Sequence, residues 1–189
     1  MTKLLWKEGN MLYPAPAVLV SCGDKPENYN IITIAWAGNI CTNPAMTYLS
    51  IRPSRLSYKI IERTREFVIN LTTKQLAFAT DFCGVKSGRE INKFAQLKLT
   101  PSKASKVKAP LIAESPVNIE CRVEEIKPLG SHSMFIAKVL CIHADKKYIN
   151  AKGALHLEKA GLICYSHGKY YLLGKELGHF GYSVKRGRK

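Results

Sequence analysis

Arg52, Ser54, Arg55 and Ser57 stand together in the run Ile51–Lys59, where a predicted strand gives way to a predicted helix. Each guanidinium offers paired N–H donors that match phosphate oxygens, and the hydroxyls add neutral donors. A helix start contributes free backbone N–H groups and a partial positive charge. The chemistry this pattern suits is the capture of one phosphate group. The same residues also suit a capped surface helix with solvated arginines, and composition alone leaves both readings open. No dinucleotide glycine fingerprint, Walker phosphate loop, zinc-protease HExxH or GxSxG elbow occurs in the chain. His132, His143, His156, His167 and His179 lie far apart and lack the carboxylate spacing of a metal site. The six cysteines show no CxxC and no histidine at zinc spacing, so they read as reduced thiols, with no metal expected.

The surrounding chain sets the scale on which such a site must be built. Its 189 residues, 46% of them apolar, suit one domain over 1–189 with a substantial core. Twenty-nine basic residues against fourteen acidic give a net charge of +15. The excess gathers in Lys185, Arg186, Arg188 and Lys189, and in five lysines between Ile91 and Ala113 with no acid among them. Such a field collects anions. With no helix-turn-helix, zinc finger or RNP-type aromatic signature beside it, nucleic acid is not the expected partner. Residues 185–189 are expected to form a mobile basic tail. No signal pattern and no membrane-length apolar run appears, so the expected location is cytoplasmic and no membrane contact is expected.

Periodicity then supplies the elements. Ala17–Cys22 and Tyr29–Ala37 read as strands around the turn Gly23–Pro26, and Met46–Ile51 as a third strand after Asn43 and Pro44. Ser54 or Ser57 is predicted to cap a helix carrying Leu56, Ile60 and Ile61 on one face. Glu66–Leu71 reads as a strand, Lys74–Phe82 as a helix ending at Gly84, and Glu90–Leu97 as a further helix. Thr100–Pro110, rich in Lys, Ser, Ala and Pro, reads as a linker. Two long strands follow, Val117–Ile126 through Ile119, Cys121 and Val123, and Met134–Ala144 through Phe135, Ala137, Val139 and Cys141. A last hairpin turns at His167 and Gly168. Many short strands, few helices and long return connections predict a mainly β fold of α+β type, an antiparallel Greek-key barrel with short flanking helices.

Taken in order, a series of segments resembles the flavin reductase-like, FMN-binding split-barrel family, and specifically its flavoredoxin branch. The series runs Pro14–Val20, Asn30–Trp36, Asn43 with Pro44, Ile51–Ser57, Glu66–Asn70, Lys86–Gly88, Asn92–Phe94, Glu120 with Cys121, Gly130–His132, Tyr170–Gly174 and Leu177–Gly181. Two positions depart from the common pattern: Ser131 stands where relatives often carry Asp, and Asn92 where Asp is usual. The resemblance implies a split barrel that binds FMN through Arg52, Ser54, Arg55 and Ser57, with Lys86, Ser87 and Gly88 closing over the ribityl–phosphate end. It implies that Asn30 and Thr33, Ile34, Ala35 and Trp36 lie along the cofactor, with Lys93 and Phe94 beside it. His132 would face the reactive side as the catalytic residue. It further implies a homodimer, with NAD(P)H as a possible donor packed against the flavin, and a flavin, metal chelate or protein as acceptor. The alternative role is a flavoredoxin-type carrier between protein partners. Taken by their types alone, Trp36 and Phe94 also suit the core, Lys93 and His132 the surface, and Cys41, which the resemblance puts near the flavin, a buried thiol.

Overall fold

The computed structural model describes residues 1–184; the basic tail expected at 185–189 lies outside the described residues. In chain order the strands are β1 (Ala15–Pro16), β2 (Val18–Cys22), β3 (Asn30–Ile34), β4 (Ala37–Thr42), β5 (Ala45–Ile51) and β6 (Glu66–Asn70), with helix α1 (Leu56–Thr64) before β6. Helices α2 (Ala77–Val85) and α3 (Lys93–Leu97) follow, then β7 (Pro101–Ser102), β8 (Leu111–Ile112), β9 (Val117–Pro128), β10 (Ser133–Ala144), β11 (Ile163–Ser166) and β12 (Lys169–Leu172). Seven strands form one antiparallel sheet in the order β3-β2-β6-β9-β10-β5-β4, which interleaves early and late strands as Greek-key return connections require. The sheet curls until β3 meets β5: Ile32 and Ile34 share one core with Leu49, Ile51, Phe67, Cys121 and Phe135. The fold is a mainly β split barrel with few short helices. Among the described residues no helix is long and apolar enough to cross a membrane.

The sheet is covered outside as well. All five residues of β2 are buried: Val18, Val20 and Cys22 point into the barrel, while Leu19 packs with Ile31 under Leu76, Ala79 and Cys83 of the α2 region and Phe94 of α3. A strand buried on both faces reads as an unbroken apolar run rather than an alternating one, and Ala17–Cys22 reads so.

Several local expectations change. Tyr29–Ala37 is two strands, not one: the chain corners at Ala35 and Trp36, and the Trp36 carbonyl accepts from the Ser50 N–H at 2.8 Å. The sheet cannot close without that corner, and β4 returns beside β5 as an exposed ribbon. Cys41 therefore sits exposed on β4, not as a buried thiol between strands. Neither serine caps α1, whose N-cap is Arg55 with no side-chain bond; Ser57 is buried and accepts from Asn30 Nδ2 at 2.9 Å. Helix α2 passes through Gly84, and α3 starts only at Lys93, behind an N-cap bond from the Ala95 N–H to the Asn92 side chain.

Thr100–Pro110 is no linker. It is a strap that buries Ala104, Val107 and Ala109 against Val68 on the outer face of the sheet. Its backbone N–H groups at Ser105, Lys106 and Val107 donate to the fully buried Glu120 carboxylate at 2.6–3.0 Å. The alternation expected along β10 also breaks. Val139 pairs with Cys121, but the next registered pair is Cys141 with Glu120, so a bulge at Leu140 turns Cys141 from the barrel interior to the strap side.

Candidate functional site

Two cavities meet at the end of β5. The first, about 390 Å³, lies between the start of α1, the start of β3 and the turn after α2. Asn30, Arg52, Ser54, Arg55, Ser57, Lys86, Ser87, Gly88 and Lys93 line it, which gathers nine of the sequence-predicted residues. Because no side chain caps α1, the N–H groups of Leu56 and Ser57 keep their capacity for an outside acceptor, while that of Tyr58 donates to the Arg55 carbonyl at 3.1 Å. Gly88 is set by close approach: a Cβ there would fall 2.1 Å from Asn30 Oδ1, displacing the side chain that holds Ser57.

Lys93 is not a solvated lysine. It is 3% exposed, and its ammonium donates to the carbonyls of Ile31 at 2.7 Å and Cys83 at 2.9 Å. Burial lowers its pKa and the Arg55 charge adds to that. With two of its three protons committed, one remains for a ligand in the cavity. Arg89, which the sequence reading missed, also lines the cavity and donates to the Ser54 carbonyl at 3.2 Å. Its signal was the basic turn begun by Lys86. Five cations and no carboxylate line this space. The thiol of Cys83 lines it too, and burial pushes its pKa up to about 11, so it remains protonated.

The second cavity, about 250 Å³, shares Ile32, Arg52 and Arg55 with the first. Thr33, Ile34, Ala35, Trp36 and His132 line it, as expected, with Tyr13 and Tyr165 added by the structure. The two tyrosines come together because β1 pairs with β11 across a long sequence gap, and their rings meet edge to face at 6.0 Å. No local spacing could have shown this. The Thr33 hydroxyl donates to the Thr80 carbonyl and so ties this wall to α2. His132 lies against Trp36 with ring centroids 4.6 Å apart and approaches the Ser131 hydroxyl through Nδ1 at 2.9 Å. Burial, then the Arg52 charge, lowers its pKa, so the ring is neutral at neutral pH.

Phe94 and Cys41 line neither cavity. Phe94 is a core residue beneath Tyr29, as its helical spacing also allowed. The arrangement as a whole is a cation-rich pocket suited to a phosphate, joined through two arginines to a smaller slot with aromatic and backbone walls.

Known proteins resemble this chain in sequence and in fold. A protein of Pyrococcus abyssi, itself uncharacterised, is 35% identical over 130 residues, covering 69% of this chain and 74% of that one. The flavoredoxin of Desulfovibrio vulgaris superposes with a TM-score of 0.89 at 27% identity, over 98% of this chain and all of that one. The fold is also that of a flavoredoxin from Methanosarcina acetivorans, with a TM-score of 0.86 at 21% identity over 97% of this chain and all of that one. The profile of the flavin reductase like domain matches residues 10–171, from the arm ahead of β1 through β12, and the chain belongs to that family.

Proposed function

We propose that this chain binds FMN and works as an oxidoreductase, passing electrons from NAD(P)H to a flavin, metal chelate or protein acceptor. The observation that carries the reading is the pocket with five cations and no acid, opening through Arg52 and Arg55 into an aromatic slot. A single phosphate suits the first cavity and a flat ring the second. Gly88, by leaving out a Cβ, lets the turn close directly on Asn30, whose amide holds Ser57 on the pocket wall. When bound, the flavin supplies hydride and single-electron transfer. The protein's part is positional and electrostatic. The arginines, Lys86 and Lys93 hold the phosphate, and the Thr33–Trp36 backbone presents N–H and C=O groups along one wall of the slot. Arg52 and Arg55 add positive potential where negative charge accumulates on reduction. His132, neutral and backed by Trp36, can donate or accept a hydrogen bond at the open face.

Purified protein should be yellow, should release FMN rather than FAD on acid extraction, and should bleach anaerobically on adding NADH or NADPH. Bound FMN that neither nucleotide bleaches would replace the reductase reading with that of a carrier between proteins. Absence of flavin at saturating FMN would end both.

The same reading takes the molecule to be a homodimer. Leu4, Leu5, Trp6 and Leu12 in the arm before β1, and Leu172, Leu173, Leu177 and Phe180 at the other end, are exposed apolar groups of the kind that mark an interface. Tyr13, at the root of the first arm, lines the slot, so a second copy seated there would border the site. Light scattering should return twice the 21.1 kDa chain mass, and a monomer mass at micromolar concentration would contradict it.

A further inference from the structure

Glu120, Cys141 and His143 converge on the outer face of the sheet, away from both cavities: none of the three lines either one. The bulge at Leu140 creates the convergence. On its N-terminal side the odd-numbered residues Phe135, Ala137 and Val139 face the barrel core; beyond it Cys141 pairs with Glu120 and His143 with Asn118, so both face the strap. Had the alternation of Phe135, Ala137 and Val139 run on unbroken, Cys141 and His143 would point inward. The result is two ligand-type side chains two residues apart on one strand and a third directly across from them.

We propose that Glu120, Cys141 and His143 form a binding site for a divalent ion of zinc type, with an open coordination position toward solvent. The three donor atoms lie within 4.8 Å of one another. His143 Nε2 is 3.8 Å from Cys141 Sγ and 2.6 Å from Glu120 Oε1. Zinc bonds of about 2.0–2.3 Å at tetrahedral angles require N···S near 3.6 Å and N···O near 3.3 Å. The sulfur distance is already close to that. The oxygen distance must open by about 0.7 Å, and the histidine can supply this because its side chain is about one-third exposed, at 34%.

Glu120 is the fixed corner. Its carboxylate is held by the Ser105, Lys106 and Val107 N–H groups, the kind of outer bonding that orients a metal-binding carboxylate. Thiolate, imidazole and carboxylate together favour zinc over magnesium or calcium, which prefer oxygen alone. On binding, the thiol gives up its proton to solvent. The imidazole proton that faces Glu120 moves to Nδ1, leaving the Nε2 lone pair for the ion. No electron changes hands. The linear spacing of histidines and cysteines hides this set, because a cross-strand pair and a bulge assemble it.

Cobalt(II) titrated into the full-length protein tests the site. The expected result is one equivalent bound, with ligand-field bands to the red of flavin absorption, a thiolate-to-cobalt charge-transfer band, and displacement of both by zinc. Cys141→Ser should abolish the charge-transfer band. His143→Gln, which keeps a donor for Glu120, should weaken binding more than about tenfold. Cys41→Ser, at the exposed cysteine, should leave the spectrum unchanged. Retained FMN absorbance in each variant reports an intact fold. Absence of the bands in the unaltered protein, or their survival in Cys141→Ser, overturns the proposal.

Discussion

Replacing Arg52 with alanine should weaken FMN about 10- to 100-fold, a loss of roughly 1.5–3 kcal/mol, while riboflavin binding changes much less. Arg52 borders both cavities, yet its strongest partner would be the phosphate, because charge-assisted donation to an anion exceeds any contact with a neutral ring. The measurement is a pair of fluorescence titrations of cofactor-free protein, one with each ligand. The ratio of the two losses is the quantity of interest. Equal weakening would place Arg52 against the ring or expose a folding defect, and the phosphate assignment would fall.

A larger effect is expected far from either cavity. Glu120→Ala should cost about 3–5 kcal/mol of stability, because it leaves three strap N–H groups and His143 facing an empty buried site. For a chain of this size each kcal/mol moves the melting temperature by about 2–4 °C, so a fall of about 10 °C is expected. Glu120→Gln should recover only part of this, since its amide sets a donor against donors. Burial works against the Glu120 charge, but the Ser105 N–H, His143 and the Lys106 N–H outweigh it and hold the carboxyl below its ordinary value of 4.5. A depressed carboxyl pKa stabilises fully above the unfolded value. The contribution should therefore be complete above about pH 4.5 and be lost as pH falls through the lower folded value. Thermal melts of both proteins at neutral pH and at pH 3 check this. A variant that melts with the parent at neutral pH would show that the strap is held by its apolar residues alone.

The two ends of this structure were unequally legible. The cation-rich pocket could be read because Arg52, Ser54, Arg55 and Ser57 are neighbours in sequence, and a strand-to-helix junction keeps neighbours together. The β2 and β6 strands could be read because burial on both faces leaves continuous apolar runs. Legibility failed where tertiary closure overrode local pattern. The corner at Trp36 exists because the sheet must meet its other end, a demand that no property of Tyr29–Ala37 announces. Thr100–Pro110 has the composition of a linker, yet a single carboxylate from β9 satisfies three of its backbone donors. Cys141 was placed inside by a period of two that the Leu140 bulge interrupts. Phe94 and Lys93 show the same limit in side chains. Both were named for the cofactor, but packing made one a core residue, while the other became a buried cation on the pocket wall.

Five like charges around one small cavity also bear on the protein before any ligand arrives. Mutual repulsion among Arg52, Arg55, Lys86, Arg89 and Lys93 makes the empty pocket a source of conformational stress, greatest at low ionic strength, where screening reaches least far. A multivalent anion relieves that stress whether or not it carries a ring, and whatever binds only the folded chain stabilises it in proportion to its concentration. On the proposed reading, buffer phosphate and sulfate are expected to compete with FMN for the site and to protect the fold at once. Supply of FMN then becomes, on that reading, a determinant of how much folded protein persists, and not only of how much is active.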